Sequence, residues 1–424
     1  MKKNLLFAML LTALCMGFTA CSDKEEETTD GQEGQELTTE NQKAWMNYAV
    51  QVAALLNADS ESLYNEWNNT FAAQFKAHNN SIYPSAESAV EQIIDGCVDI
   101  ANEVGTSKIG DPYNKAKAGN KEEAVLAVES WYSWHSRDDY TNNIYSIRNS
   151  WYGSLTGSPV AQSLYQFVKE GDEQLANRVT SAISAAATAI QAIQQPFRNN
   201  IISTQTEEAM NACAELADIL DNDLRNYVSS NADETRYSEI INQFVDVVVM
   251  PTYKDLKDKN YALYQAVTNL NNAPSDEAFS QCALAWMNAR KPWETSEAFL
   301  FGPVANLGLD PNMDSWPLDQ AAIQNILSSK SWEDMKWSGE YISEDDLMEE
   351  ILDELGLGDV EELTEEEEAL VAQKVEERKN SDPAFKADME QAEKISAAQN
   401  VRGFHTLEFL IFKDGEARKF SEIE

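Results

Sequence analysis

Apolar residues recur at intervals of three and four through most of this chain, and that spacing fixes its secondary structure. Trp45, Tyr48, Ala49, Val52, Ala53 and Leu56 form one such stripe. Leu175, Val179, Ile183, Ala186, Ile190 and Ile193 form a second, and Ile240, Phe244 and Val248 a third that should end near Pro251. Residues three and four apart share one face of a helix, whereas a strand needs alternation bounded by turn residues. Such alternation is scarce here, so the expected fold class is all-α. At 424 residues the chain exceeds one comfortable core. Two helical bundles are expected, 42–232 and 233–424, divided at the polar stretch Ser229-Ser230-Asn231-Ala232-Asp233.

At the N-terminus, Met1-Lys2-Lys3 precede an apolar run from Leu5 to Phe18 that is too short to span a bilayer. The run ends in Phe18-Thr19-Ala20-Cys21, which resembles a bacterial lipoprotein signal with phenylalanine where leucine is usual. The resemblance implies removal of residues 1–20 and lipid attachment at Cys21. Residues 21–41 are polar and acidic, with too little apolar side chain to offset the entropy of ordering, and read as a flexible tether. Anchor and tether together would hold the folded part outside the cytoplasm, on a membrane it does not cross. The expected location is the outer membrane, on its periplasmic or its cell-surface face.

Acidic residues number 72 against 32 basic ones, for a net charge of −40, or −42 once Lys2 and Lys3 are lost. That balance argues against nucleic acid as a partner, because neutralising phosphates needs a basic surface. Cys97, Cys213 and Cys282 are well separated and odd in number, and read as buried small residues rather than a disulfide framework or a zinc ribbon. Fifteen of residues 339–368 are acidic and none is basic, yet no Asp-x-Asp-x-Asp-Gly calcium loop is present. Ser343 ahead of Asp346, Leu347, Ile351, Leu355 and Gly356 reads as one short helix; Thr364 and Glu367 form a capping box for another. The expectation is an inserted acidic helical hairpin, about 339–384.

The chain has three histidines, His78, His135 and His405. His405 stands in Gly403-Phe404-His405-Thr406-Leu407-Glu408, inside an apolar run. On a helix His405 and Glu408 share a face; on a strand they point apart. His78 reads as a solvated loop residue, and His135 ranks below His405. Phe279 to Leu300 reads as a long helix with a kink or restart at Pro292. Trp286, Arg290, Trp293, Glu294 and Glu297 fall on one broad stripe of it, which is not a simple core face. A buried Arg290–glutamate pair is the plain structural account. Carboxylates and an imidazole from facing helices also suit iron or manganese.

Three blocks resemble the imelysin-like family, peptidase family M75. They are Ser133–Gly153, Ala289–Pro303 with Asp314-Ser315-Trp316-Pro317-Leu318-Asp319, and the Gly-x-His-x-x-Glu motif at 403–408. Members of that family include bacterial iron-uptake proteins and periplasmic or outer-membrane lipoproteins. The resemblance implies metal ligation by His405 and Glu408 with Glu297 and Glu294. It also implies a pocket that includes Arg290, Trp293, Asp314, Trp316, Ser133, Asp139 and Asn143. The implied role is capture of iron, another divalent metal or an iron-bearing partner for uptake. An M75-type peptidase is the alternative, and a structural or adhesive lipoprotein the second. Against the peptidase, His-Glu-x-x-His is absent, and His135 is two residues from Ser133 and cannot face it on a helix. The family's motif order is the reverse of the order here, which implies a circular permutant with the usual ends joined near Ser229–Thr235. Permutation would place Glu40–Ala44 close to the C-terminal residues, and the 133–143 block beside His405.

Overall fold

The computed structural model describes residues 36–338, 344–358 and 363–423. The principal helices are α1 (Gln42–Glu66), α2 (Ala86–Glu103), α3 (Ser136–Tyr152), α4 (Glu173–Ala192), α5 (Thr204–Asp218), α6 (Glu234–Gln243) and α7 (Met250–Asn272). They continue with α8 (Asp276–Glu294), α9 (Leu309–Asp314), α10 (Glu344–Glu354), α11 (Glu365–Ser381), α12 (Pro383–Gln399) and α13 (Gly403–Ile411). Among the described residues the one sheet is a hairpin of β1 (Phe412–Lys413) and β2 (Glu416–Ala417). The fold is all-α. No helix among these residues is long and apolar enough to cross a membrane.

Helices start where the sequence supplies an oxygen for an unpaired N–H. The Ser85 hydroxyl accepts from Ser88 N at 3.1 Å, Asp172 from Leu175 N at 2.9 Å and Ser275 from Ala278 N at 3.1 Å. Each such cap contributes about 1 kcal/mol. Both long stripes named above are buried, the first in α1 and the second in α4, with Ile193 just past its end. The third does not end at Pro251. A π turn, Phe244–Val249, passes directly into α7, and Pro251 is that helix's second residue, where its missing N–H costs little. Further π turns follow α1 (Trp67–Phe71), α2 (Val104–Lys108) and α5 (Ile219–Leu224). In its turn, α8 stops at Glu294 rather than Leu300: Ser296 N reaches back to the Trp293 carbonyl at 2.7 Å, and a 3-10 turn covers Glu297–Phe299.

The chain divides into two compact units. The larger holds residues 35–332 and 399–424, and so includes helices from both sides of the boundary expected at 232. Residues 229–233 turn the chain inside it: Tyr237 donates to the Val228 carbonyl at 2.7 Å, and Glu234 accepts from Ala86 N at 2.9 Å. Its first helix lies on its last. Trp45 Nε1 donates to the Leu410 carbonyl at 3.0 Å, and Glu36 pairs with Lys413 at 2.8 Å. The last residues of the expected tether are thus ordered; Leu37 is buried, and Thr38 and Asn41 bond to each other's backbone. Residues 1–35, with the expected signal and Cys21, lie outside the described residues. His78 is not a solvated loop residue either, since it ends the helix Ala72–Ala77 and bonds through Nε2 to Ser238 Oγ at 2.9 Å. Cys97, Cys213 and Cys282 are free and buried.

The smaller unit includes 333–398. It is three helices rather than a hairpin, because Phe385 and Met389 of α12 complete an apolar cluster with Leu347, Met348, Ile351 and Leu352 of α10 and Val371 and Val375 of α11. Ser343 lies outside the described residues, but the Thr364–Glu367 capping box is formed. Acids of α10 meet bases of α11: Arg378 pairs with Glu350 at 2.7 Å and Glu354 at 3.1 Å. Truncating Phe385 to alanine should cost this unit about 3–5 kcal/mol. Hydrogen exchange should then accelerate across α10 to α12 while amides of α1 and α13 keep their protection; uniform acceleration would contradict the division into units.

Candidate functional site

The larger unit contains a buried charge cluster centred on Arg290 of α8, whose side chain is fully enclosed. Its Nη2 pairs with Glu294 Oε1 at 2.7 Å and with Glu129, its Nη1 with Asp314, and its Nε with Asp139 Oδ2 at 3.4 Å. The spacing of four between Arg290 and Glu294 on α8 brings that pair together. Asp139 comes from α3, Asp314 from the end of α9, and Glu129 from the turns ahead of α3.

His405 enters from α13. Its Nε2 lies 3.1 Å from Asp314 Oδ1 and 3.6 Å from Glu129 Oε1, and its Nδ1 lies 3.1 Å from Glu408 Oε2. The segment is a helix, so the i, i+3 pair does share a face. Gly403 begins this helix with φ of +84°, and a Cβ on it would fall 2.5 Å from the Met313 carbonyl oxygen. The motif's glycine is therefore what lets α13 approach the Asp314 segment closely enough for His405 to reach it. Gly96 of α2 does similar service for the Glu297 turn, since a Cβ there would lie 2.1 Å from the Ala298 oxygen.

Glu408 itself is fully engaged. Its Oε1 accepts from Ser133 N and from Ser133 Oγ, both at 2.7 Å, while Oε2 faces His405. It orients the imidazole rather than offering an open oxygen. Ser130 Oγ donates to Asp139 Oδ2 at 2.6 Å, and Asn143 Nδ2 to Glu294 Oε2 at 2.6 Å. Trp293 Nε1 donates to Asp314 Oδ2 at 2.6 Å, and Trp316 Nε1 to the Ala127 carbonyl at 3.2 Å. All the pocket residues singled out from sequence thus converge on one locus. His135 stays at its edge, 4.0 Å from Asp139. The Ser133 and Ser130 hydroxyls both face carboxylates, an arrangement unlike a serine nucleophile and its imidazole base.

Two residues of this cluster escaped sequence reading. Glu129 is fully buried and receives Lys108 Nζ at 3.0 Å, His405 and Arg290. The only local signal was a lone acid between apolar Ala124–Val128 and the aromatic pair Trp131-Tyr132. Lys108, with 1% side-chain exposure, also lies 4.0 Å from Glu297 and stacks over the Trp316 ring at 4.8 Å. It ends the π turn after α2, and no local pattern announces that. Glu103, 3.7 Å from Lys108, retains 39% side-chain exposure and marks the outer edge of the cluster.

The electrostatics sort these acids into two groups. Burial opposes charge on Asp314, but Arg290 and the His405 hydrogen bond outweigh it and hold the carboxyl well below its usual range. Glu129 is likewise lowered: burial opposes, and Lys108, His405 and Arg290 prevail. For Glu294, Glu297 and Asp139 burial wins despite nearby cations, and each is raised. Burial and the Arg290 charge work against a protonated His405, yet hydrogen bonds to Asp314, Glu129 and Glu408 raise it well above the ordinary histidine range.

Could a metal sit here? Glu129, Asp314 and His405 offer one set of donor atoms within 4.8 Å of one another, and Glu294, Glu297 and Asp314 another. The first set already receives Arg290, whose Nη2 is 3.4 Å from His405 Nε2, so a cation there would face a guanidinium. In the second set Arg290 also holds Glu294 and Asp314, and Lys108 lies 4.0 Å from Glu297, so a cation there would share its ligands with both bases. Three hard carboxylates suit a hard multivalent cation.

The family model for imelysin, Peptidase M75, matches residues 27–224 and 249–423. The chain belongs to this family. Its fold resembles the 1.44 Å crystal structure of an imelysin peptidase from Bacteroides ovatus, with 50% identity and a TM-score of 0.78 over 92% of this chain and 99% of that one. It is also 36% identical over 87 residues to the iron-regulated protein A of Synechococcus elongatus, a match spanning 20% of this chain and only 24% of that relative's length. In imelysin-family terms the glycine of the motif is the most exposed to test. Gly403→Ala should destabilise the larger unit by on the order of 2–4 kcal/mol through backbone strain and overpacking. Chemical denaturation would register that loss; a variant as stable as the parent would remove the packing account of the motif.

Proposed function

We propose that this imelysin-family protein captures iron outside the cytoplasm, at the carboxylates of Glu294, Glu297 and Asp314, with Glu129 and His405 as a supporting rim. The observation that carries this reading is a charge mismatch in a sealed space. Glu129, Asp139, Glu294, Glu297, Asp314 and Glu408 are six buried carboxylates, set among three basic side chains, Lys108, Arg290 and His405. Unpaired buried carboxylates are costly, and they must be met by protons or by a cation. A bound metal would take the place of the protons. The metal is then cargo or ligand, and Glu408 and Ser133 serve to aim His405. Iron is the favoured metal because the ligands are hard oxygens and a relative carries the name iron-regulated protein A. The leader-like residues 1–20 and the cysteine that follows, Cys21, support a lipid anchor that would keep the domain at a membrane face.

Anaerobic titration of the purified protein with Fe(II) tests the site. Metal must displace protons from carboxylic acid and imidazolium groups, so affinity should fall as pH falls from about 8 to 6, up to about a hundredfold per unit if two protons leave. Glu297→Gln and Asp314→Asn should each weaken binding at least about tenfold, as expected when one charged ligand is lost. Binding insensitive to pH and to both substitutions would refute the assignment.

The motif order supports a second part of the proposal, that the fold is a circular permutant of the usual family arrangement. The contacts of Glu36 with Lys413 and of Trp45 with Leu410 support it, since permutation needs adjoining ends. A variant with residues 36 and 423 joined by a short Gly-Ser linker and opened between Asn231 and Asp233 should fold with the same helical circular dichroism. Failure of that variant to fold, in conditions where the parent refolds, would sink the idea.

A further inference from the structure

Helices α3 and α8 present the charge cluster on one face and line a separate recess on another. This recess has a volume of about 540 Å³ and is closed on its third side by α7. Its polar lining comprises Asn142, Arg148 and Asn149 from α3, Lys291 and Thr295 from the end of α8, and Thr252, Asp255 and Lys259 of α7 opposite. Tyr145, Leu155, Pro251 and Pro292 supply apolar walls. We propose that this recess binds a small organic carboxylate.

The argument starts from charge. In a chain with 72 acids and 32 bases, a basic side chain has acidic neighbours to spare. Most of the arginines use them: Arg178, Arg225, Arg236, Arg290, Arg378, Arg402 and Arg418 all hold carboxylates. Arg148 and Lys291 do not, among the described residues, and both line this recess. The third base, Lys259, is met by Asp255 at 2.7 Å. The recess is therefore net positive in a strongly negative protein, an arrangement that favours an anion there over the surrounding surface.

Arg148 is also held in place. Its guanidinium stacks on the Tyr145 ring at 4.0 Å, and its Nη2 donates to Asn149 Oδ1 at 3.2 Å. Its Nε is buried without a hydrogen-bond partner. A half-buried guanidinium with no counter-ion is unfavourable in isolation, and a carboxylate at its accessible edge would supply the missing charge with charge-assisted hydrogen bonds. The two prolines, Leu155 and the exposed rim of Tyr145 then suit an apolar or aromatic body on the same molecule. The volume matches a compact organic ligand and exceeds what a bare inorganic anion needs. This site uses none of the carboxylates assigned above to iron, so the two proposals stand or fall separately.

Calorimetric titration of the full chain with phthalate, benzoate, benzamide and inorganic phosphate decides the matter. Phthalate or benzoate should bind, with benzamide, which lacks the charge, at least about tenfold weaker. The double variant Arg148→Gln, Lys291→Gln should lose at least about tenfold in affinity for the bound carboxylate while keeping the parent's melting temperature. Asn142→Asp, which sets a negative charge in the recess, should do the same and guards against a folding artefact. Equal binding of benzamide, phosphate binding as tight as phthalate, unaltered affinity in both variants, or no carboxylate binding up to about 10 mM would each overturn the proposal.

Discussion

One guanidinium holds the larger unit's interior together. Arg290 touches carboxylates contributed by the turns before α3, by α3 itself, by its own helix and by α9, and lies beside the imidazole from α13. A planar group with five fixed N–H donors can serve several acids at once, which the compact ammonium of lysine cannot. The contacts span up to 161 residues of sequence, so helices distant in the chain are joined electrostatically as well as by apolar packing. Breaking one partner of a buried charge set costs about 3–5 kcal/mol, because the remaining charges lose compensation.

Around that centre the polar side chains act mainly to fix orientation. Ser133 and Glu408 hold the imidazole, Asn143 holds Glu294, and the Trp293 indole holds one Asp314 oxygen. Lys108 depends on a backbone irregularity. A π turn adds one residue to the helix, and in its absence the residues beyond would sit about 100° further round. The wide turn after α2 is thus what points an ammonium at Glu129 rather than at solvent.

Much of this was legible in the sequence, for a physical reason in each case. The α1 and α4 stripes follow from a 3.6-residue period, and the Thr364 cap from local hydrogen bonding. The Arg290–Glu294 and His405–Glu408 pairs are local on their helices, so spacing brought each onto one face once the segment was helical. What stayed hidden was tertiary or irregular. Glu129 is defined by partners 21, 161 and 276 residues away, and nothing near it in sequence names them. The π turn that carries the chain through Pro251 reads locally as a helix end. The third helix of the smaller unit was hidden because Phe385 and Met389 follow a different composition from the acidic stretch they complete.

The docking of α1 against α13 has a kinetic meaning. Trp45 and Tyr48 bond to carbonyls 365 and 353 residues further along the chain. Closing so long a loop loses chain entropy before any contact is gained, and interactions of this separation form slowly. Until α13 docks, Arg290 and its carboxylates remain open to water on the side His405 will cover. The charged interior therefore cannot be assembled early around a nucleus of its own. It is completed by contacts 353 and 365 residues apart in sequence, and its enclosure waits on them.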